Sequence, residues 1–193
     1  MALFLTTAPL LEPLSLAQAK THLRVDVDDE NGLIDTLIRA ARGWVETFIH
    51  RSLIATVWDW KLDAFPDACF ELPLPPVSAV TSITYTDTAG VSQTWASTLY
   101  TTSLPTGPKA APARITPIYG GVFPSTRTVM DAVTVRFTAG YGTEATSVPA
   151  DIRSAMLLMI GHWYERREPV NIGNIVTPIP MTVESLLWPY KAF

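Results

Sequence analysis

The spacing of apolar positions changes twice along this chain. Leu33, Ile34, Leu37, Ile38, Ala41, Trp44, Val45, Phe48 and Ile49 recur at helical intervals, with Asp35, Arg39, Arg42 and Glu46 between them. This predicts an amphipathic helix ending near Arg51. Asp28, Asp29 and Glu30 stand at its start, where the partial positive charge of a helix end favours carboxylates. Upstream, Ser15 and Gln18 have capping-box spacing and Leu14 holds the staple position, which predicts a short helix over 16–23. Beyond Arg51 the period becomes two. Trp58, Trp60 and Leu62 alternate with Asp59, Lys61 and Asp63, and Phe70 with Leu72 suggests a further strand before Pro73, Pro75 and Pro76. Residues 80–86 and 91–95 flank Asp87-Thr88-Ala89-Gly90, a hairpin pattern. Residues 99–101 can add a strand, and 129–138 closes the β region with Val133, Val135 and Phe137 on one face. Between these, residues 104–124 hold five prolines and three glycines and read as a long irregular loop.

Helical spacing returns at Pro149, a residue suited to a first helical turn. Ile152, Ala155, Met156, Met159, Ile160 and Trp163 form its stripe, and Pro169 stops it. The expected core packs Leu33, Leu37, Trp44 and Phe48 against Ile152, Met156, Met159 and Trp163, because each helix has one apolar face to bury. The fold class that follows is α+β: a small helical domain formed by both termini, with an inserted antiparallel β subdomain. The division is 1–52 with 148–193, carrying an N-terminal arm and a C-terminal tail, against 53–147. Residues 1–16 read as an extended arm rather than a signal peptide, since they lack a basic start and Pro9 and Pro13 interrupt them.

Composition narrows the function. The 193 residues are 48% hydrophobic and 17% charged, which argues for a folded chain. The net charge is −4, against the basic excess expected of a protein that grips phosphates. The single cysteine, Cys69, cannot close an internal disulfide, so folding in a reducing compartment is expected. No apolar run approaches the roughly 18 residues of a membrane span.

Catalytic and ligand motifs are hard to find. There is no Walker-type loop and no GxSxG elbow, and Gly140-Tyr141-Gly142 reads as a strand-ending turn. The run from Asp26 to Gly32 looks like a calcium loop but has Asn31 at the sixth position and Leu37 at the twelfth, so capping of the following helix is the better reading. His22, His50 and His162 lack metal-ligand spacing and read as packed or helix-end residues. Cys69 reads as a small buried hydrophobe. No catalytic, metal or cofactor-binding residue is assigned, and no cofactor is expected. The charged group Glu165, Arg166, Arg167 and Glu168 suits either a solvated helix end or contacts between subunits.

Four stretches in order resemble the head–tail connector (adaptor) family of long-tailed phages. They are residues 14–24 (LSLAQAKTHLR) with the helix that follows, 133–142 (VTVRFTAGYG), 148–153 (VPADIR) leading to 163–168 (WYERRE), and 185–190 (SLLWPY). Gene transfer agents use similar parts. The resemblance implies a virion protein of the neck, made in the host cytoplasm. It implies a ring of about twelve copies beneath the portal protein, lengthening the DNA channel and seating a stopper or tail-completion protein. Genomic DNA would pass without specific binding, no membrane would be involved, and no catalysis is implied. A neighbouring neck component, or a small ligand-binding domain or enzyme using loop 104–124, remains the alternative. That loop offers only Lys109 and Arg114 as charged groups.

The tail, 170–193, holds Pro178, Pro180 and Pro189 yet is too apolar for a solvated linker. Its expected role is docking on the portal or a neighbour through Leu186, Leu187, Trp188, Tyr190 and Phe193, with folding back onto its own helices as the competing expectation.

Overall fold

The structure is a computed structural model that describes residues 1–166 and 181–192. These residues form eight strands and four α-helices in an α+β arrangement. The first strand, β1 (Ala2–Thr7), precedes α1 (Leu16–Leu23) and α2 (Asn31–Ile49). The strands β2 (Thr56–Leu62), β3 (Phe70–Glu71), β4 (Val77–Thr86), β5 (Ser92–Thr94), β6 (Tyr100–Ser103), β7 (Arg114–Pro117) and β8 (Val133–Ala139) follow. The chain then returns to helix in α3 (Ala150–Glu165) and α4 (Met181–Leu187), the latter running into a 3-10 turn, Trp188–Tyr190. Among the described residues no helix is long and apolar enough to cross a membrane.

The capping box of α1 forms as its spacing predicts. The Gln18 N–H donates to Ser15 Oγ at 3.2 Å and the Ser15 N–H donates to Gln18 Oε1 at 3.0 Å. The first helix ends at Arg24 and the second at His50, each in the left-handed conformation that closes a helix. The fully buried stripe of α2 is Ile34, Ile38, Ala41, Val45 and Ile49, and it packs with Ile152, Ala155, Met156, Met159 and Ile160 of α3. The stripe expected from sequence is therefore rotated. Leu33 is 37% exposed, and Leu37, Trp44, Phe48 and Trp163 lie at the margin of this core rather than in it. The apolar arc of α2 is wider than α3 alone can cover, so its bulkier members spill to the edge.

Five strands form one antiparallel sheet in the order β1-β2-β8-β4-β5, and three form a second in the order β3-β7-β6. The hairpin at 87–90 forms where expected. Asp87 shapes its turn, accepting the N–H groups of Ala89 and Val91 at 2.9 Å each. Val133, Val135 and Phe137 of β8 point into a second apolar cluster with Ile83, Trp95 and Ile115. Phe65, Phe123 and Tyr100 ring Trp95 at centroid distances of 5.3, 5.5 and 4.8 Å.

Two expectations for the β region need correction. Loop 104–124 is not wholly irregular: it contains β7, which pairs with β6 and β3 and buries Ile115. Cys69 is exposed, not buried, because it precedes β3 on the outer side of the inward-facing Phe70. The first residues are extended, and they pair with β2 as the outer strand of the larger sheet.

The helical and β parts meet where 52–56 crosses 139–142. The Tyr141 N–H donates to the Leu53 carbonyl at 3.1 Å, and the Ala55 N–H donates to the Gly142 carbonyl at 2.8 Å. Gly140 has φ +132°, and a Cβ there would stand 2.4 Å from the Ile54 carbonyl carbon. Only glycine allows the two backbones to come this close.

Candidate docking interface

Residues 181–192 pack back onto the helices. Val183 and Leu187 of α4 are buried in the helical core, and Tyr190 is 6% exposed. The spacing explains this: Val183, Leu187 and Tyr190 are four and three residues apart and share one face of the helix and its 3-10 extension. Trp188 falls off that face and is 59% exposed, while Leu186 is partly buried. Of the docking residues expected from sequence, Leu187 and Tyr190 thus lie inside the chain's own core, and Trp188 is presented outward. Glu165 and Arg166 are exposed at the end of α3. Phe193, Arg167 and Glu168 lie outside the described residues.

One buried residue that the sequence did not single out fastens this segment. Arg51 is 4% exposed, just past the end of α2. Its Nε donates to the Tyr190 carbonyl, and one terminal nitrogen donates to the Ala110 carbonyl at 2.8 Å. One guanidinium therefore joins α2, loop 104–113 and the C-terminus, using the fork of donors that arginine offers. Burial lowers the Arg51 pKa, and the neighbouring Tyr141 hydroxyl offsets part of that shift. Tyr141 is itself raised to about 12, chiefly by burial, and its hydroxyl donates to the Pro108 carbonyl at 2.8 Å. The Tyr190 hydroxyl donates to Asp151 Oδ2 at 2.7 Å, and burial with the adjacent carboxylate raises it to about 12. The Ala192 N–H closes the set on the Ile49 carbonyl at 2.9 Å.

The outward face that results is aromatic and cationic. Trp44 stacks on Phe48 at 5.0 Å with planes 9° apart, and Lys191 lies 5.2 Å from the Phe48 ring and 5.4 Å from the Trp188 ring. A lysine between two ring faces is held by their quadrupoles and bridges them into one patch. Lys109 sits 5.8 Å from the Tyr190 ring, so loop 104–113 borders the same region. Trp188 and its neighbours form the type of large, stiff, amphipathic surface that anchors protein contacts. Among the described residues, no group of three or more His, Cys, Asp or Glu side chains is placed to hold a metal.

The family profile described as phage gp6-like head-tail connector protein matches residues 13–105. Solved neck structures match over the whole chain. A chain in the neck of an empty gene transfer agent particle, computed with C6 symmetry, is 26% identical with a TM-score of 0.82, covering 100% of this chain and 96% of that one. Residues 13–105 thus match the gp6-like head–tail connector family, and the whole chain shares its fold with a neck chain of a gene transfer agent particle. A chain in the virion of a native gene transfer agent particle matches at 26% identity and a TM-score of 0.83, with the same coverage. One in the neck of a native particle computed with C12 symmetry matches at 25% and 0.76, again over 100% of this chain and 96% of that one. A comparison with curated protein sequences finds no match. These structural matches span the β region along with the helices.

Proposed function

We propose that this chain is a structural connector of the particle neck, one of about twelve copies that form a ring beneath the portal. The ring lengthens the DNA channel and seats the next neck component, a stopper or tail-completion protein. The observation that carries this reading is the match of the whole chain, helices and β region together, to a chain in a gene transfer agent neck computed with C12 symmetry. The net charge of −4 suits a conduit through which DNA passes without being gripped. No catalytic step is assigned. The helical unit of 1–52 with 148–193 carries the docking surface in this reading, and the β insert over 53–147 is held to it at the Gly140 crossing.

The portal-facing contact is assigned to Trp188, with Lys191, Phe48 and Trp44 beside it and Leu186 at its margin. Leu187 and Tyr190 act from beneath by holding Trp188 outward. Glu165 and Arg166 flank the copy-to-copy contact. The test is to add purified protein to portal-bearing, DNA-filled, tailless heads, then image the necks and score tail attachment. A ring of density below the portal and restored tail joining are expected. Heads that bind no protein, or that accept tails equally well without it, would refute the assignment.

A further inference from the structure

We propose that neighbouring copies in the ring are joined by an acidic loop of one copy seated in a basic cleft of the next, an inference that rests on the ring just proposed. The cleft lies between α1 and α3, has a volume of about 570 Å³, and is walled by Leu14, Ala17 and Leu157. Thr21 and His22 line one side and Arg153 the other, and no carboxylate lines it. Arg153 is the unusual member. Its Nε is buried with no hydrogen-bond partner, and its guanidinium makes no ion pair among the described residues. A partly buried cation left this way is costly unless something outside the chain completes it.

The complementary surface is on the same chain. In the loop between α1 and α2, Val27 is 59% exposed and stands between the exposed carboxylates Asp26 and Asp29. Neither acid has an ion pair among the described residues. Asp28, in contrast, is held by Lys20 at 2.7 Å and by Asn31 at 3.0 Å, so the loop is fixed at its centre with its two other acids left outward. One apolar side chain flanked by acids fits a cleft with apolar walls and a guanidinium. The two patches differ, so the contact is head-to-tail, the kind that closes into a ring when repeated. Burial of the Arg153 charge against a carboxylate also fixes register between copies, because a shifted neighbour would leave both charges unpaired.

The test uses assembled particles. In a Cys69→Ser background, Ala17→Cys with Asp29→Cys should give, on mild oxidation, a ladder of covalent multimers from particles, and neither single variant should do so. Arg153→Glu and the double variant Asp26→Lys with Asp29→Lys should each lower incorporation into necks by about tenfold or more. Combining them should recover most of that loss. Because Arg153→Glu can disturb α3, the exposed Asp26 and Asp29 substitutions carry the result if its melting temperature falls. Rings that form normally with no ladder and no effect of the acidic substitutions overturn the loop-in-cleft contact while leaving the ring intact. A defect in Arg153→Glu that the lysine substitutions do not recover also overturns it, and points to another protein in the cleft. Parent protein that forms no ring on heads sinks this contact and the ring together.

Discussion

Arg51 and Tyr190 are 139 residues apart in sequence, yet the guanidinium of the first donates to the backbone carbonyl of the second inside the protein. The same guanidinium reaches Ala110, 59 residues away, so removing it strands two buried carbonyls at once. An unsatisfied buried acceptor costs about 1–3 kcal/mol. Arg51→Ala is expected to lower unfolding free energy by about 2–4 kcal/mol in denaturant melts. Arg51→Lys should recover only part, since an ammonium lacks the planar fork that spans both acceptors. A loss below about 1 kcal/mol for the alanine variant would show that water or a shifted chain replaces these bonds.

Trp188 and Leu187 are adjacent but face opposite surroundings, which separates docking from folding. Leu187→Ala removes a fully buried side chain and should cost about 2–5 kcal/mol. Trp188→Ala touches an exposed ring and should leave the melt within about 1 kcal/mol of the parent. If Trp188 anchors the connector on heads, its alanine variant should fold normally and lose head binding. Normal binding by that variant would remove Trp188 from the interface. Deleting the end of the chain would be uninformative, because it also takes away Leu187, Tyr190 and the bond from Arg51.

Ile38→Ala is expected to destabilise more than Trp44→Ala, by equilibrium denaturation. Ile38 is 1% exposed at the centre of the α2–α3 contact, where an Ile→Ala change costs about 2–5 kcal/mol. Trp44 sits at the margin, its ring stacked on Phe48, and its removal leaves a notch that water can enter. The reverse order would place the larger residue in the working core.

These contrasts show what the sequence could and could not reveal. The α1 cap, the 87–90 turn and the alternation of β8 rest on neighbours within a few positions, and each was legible. The strand β7 was not, because it is four residues long, sits among prolines and buries fully only Ile115. The C-terminal helix was ambiguous for another reason. Apolar residues at its spacing demand burial but do not say against which surface, so Leu187 and Tyr190 fitted an outside partner as well as their own core. Arg51 carried no local pattern at all, since its partners lie in two distant parts of the chain. The Arg153 cleft was equally hidden, being formed by two helices more than a hundred residues apart.

Acid sensitivity is expected to depend on Asp59 and Arg136, which face each other across β2 and β8. The Arg136 Nε and one terminal nitrogen donate to the two Asp59 oxygens at 2.7 Å each. These hydrogen bonds and the attraction to the guanidinium hold Asp59 below the ordinary carboxylate range, against a weaker upward push from burial. A depressed folded-state pKa stabilises the fold at pH values above the unfolded value of about 3.9. That contribution is lost as pH falls from there through the folded value. The Arg136 side chain is 45% exposed, so solvent screening keeps the contribution of the pair small. Glu46 works in the opposite direction. Burial raises its pKa despite Arg42 and the Leu53 N–H, so its ionised form opposes folding at neutral pH, and that opposition fades as pH falls through its raised value. Unfolding free energies of the parent and Asp59→Asn, measured from pH 7 down to about pH 2.5, should differ most at the upper end and converge below about pH 4. The Glu46→Gln variant should show its largest gain over the parent at neutral pH and lose it in acid. A parent-to-Asp59→Asn gap that stays constant across the range would show that the carboxylate is not protonated differently in the folded and unfolded chain.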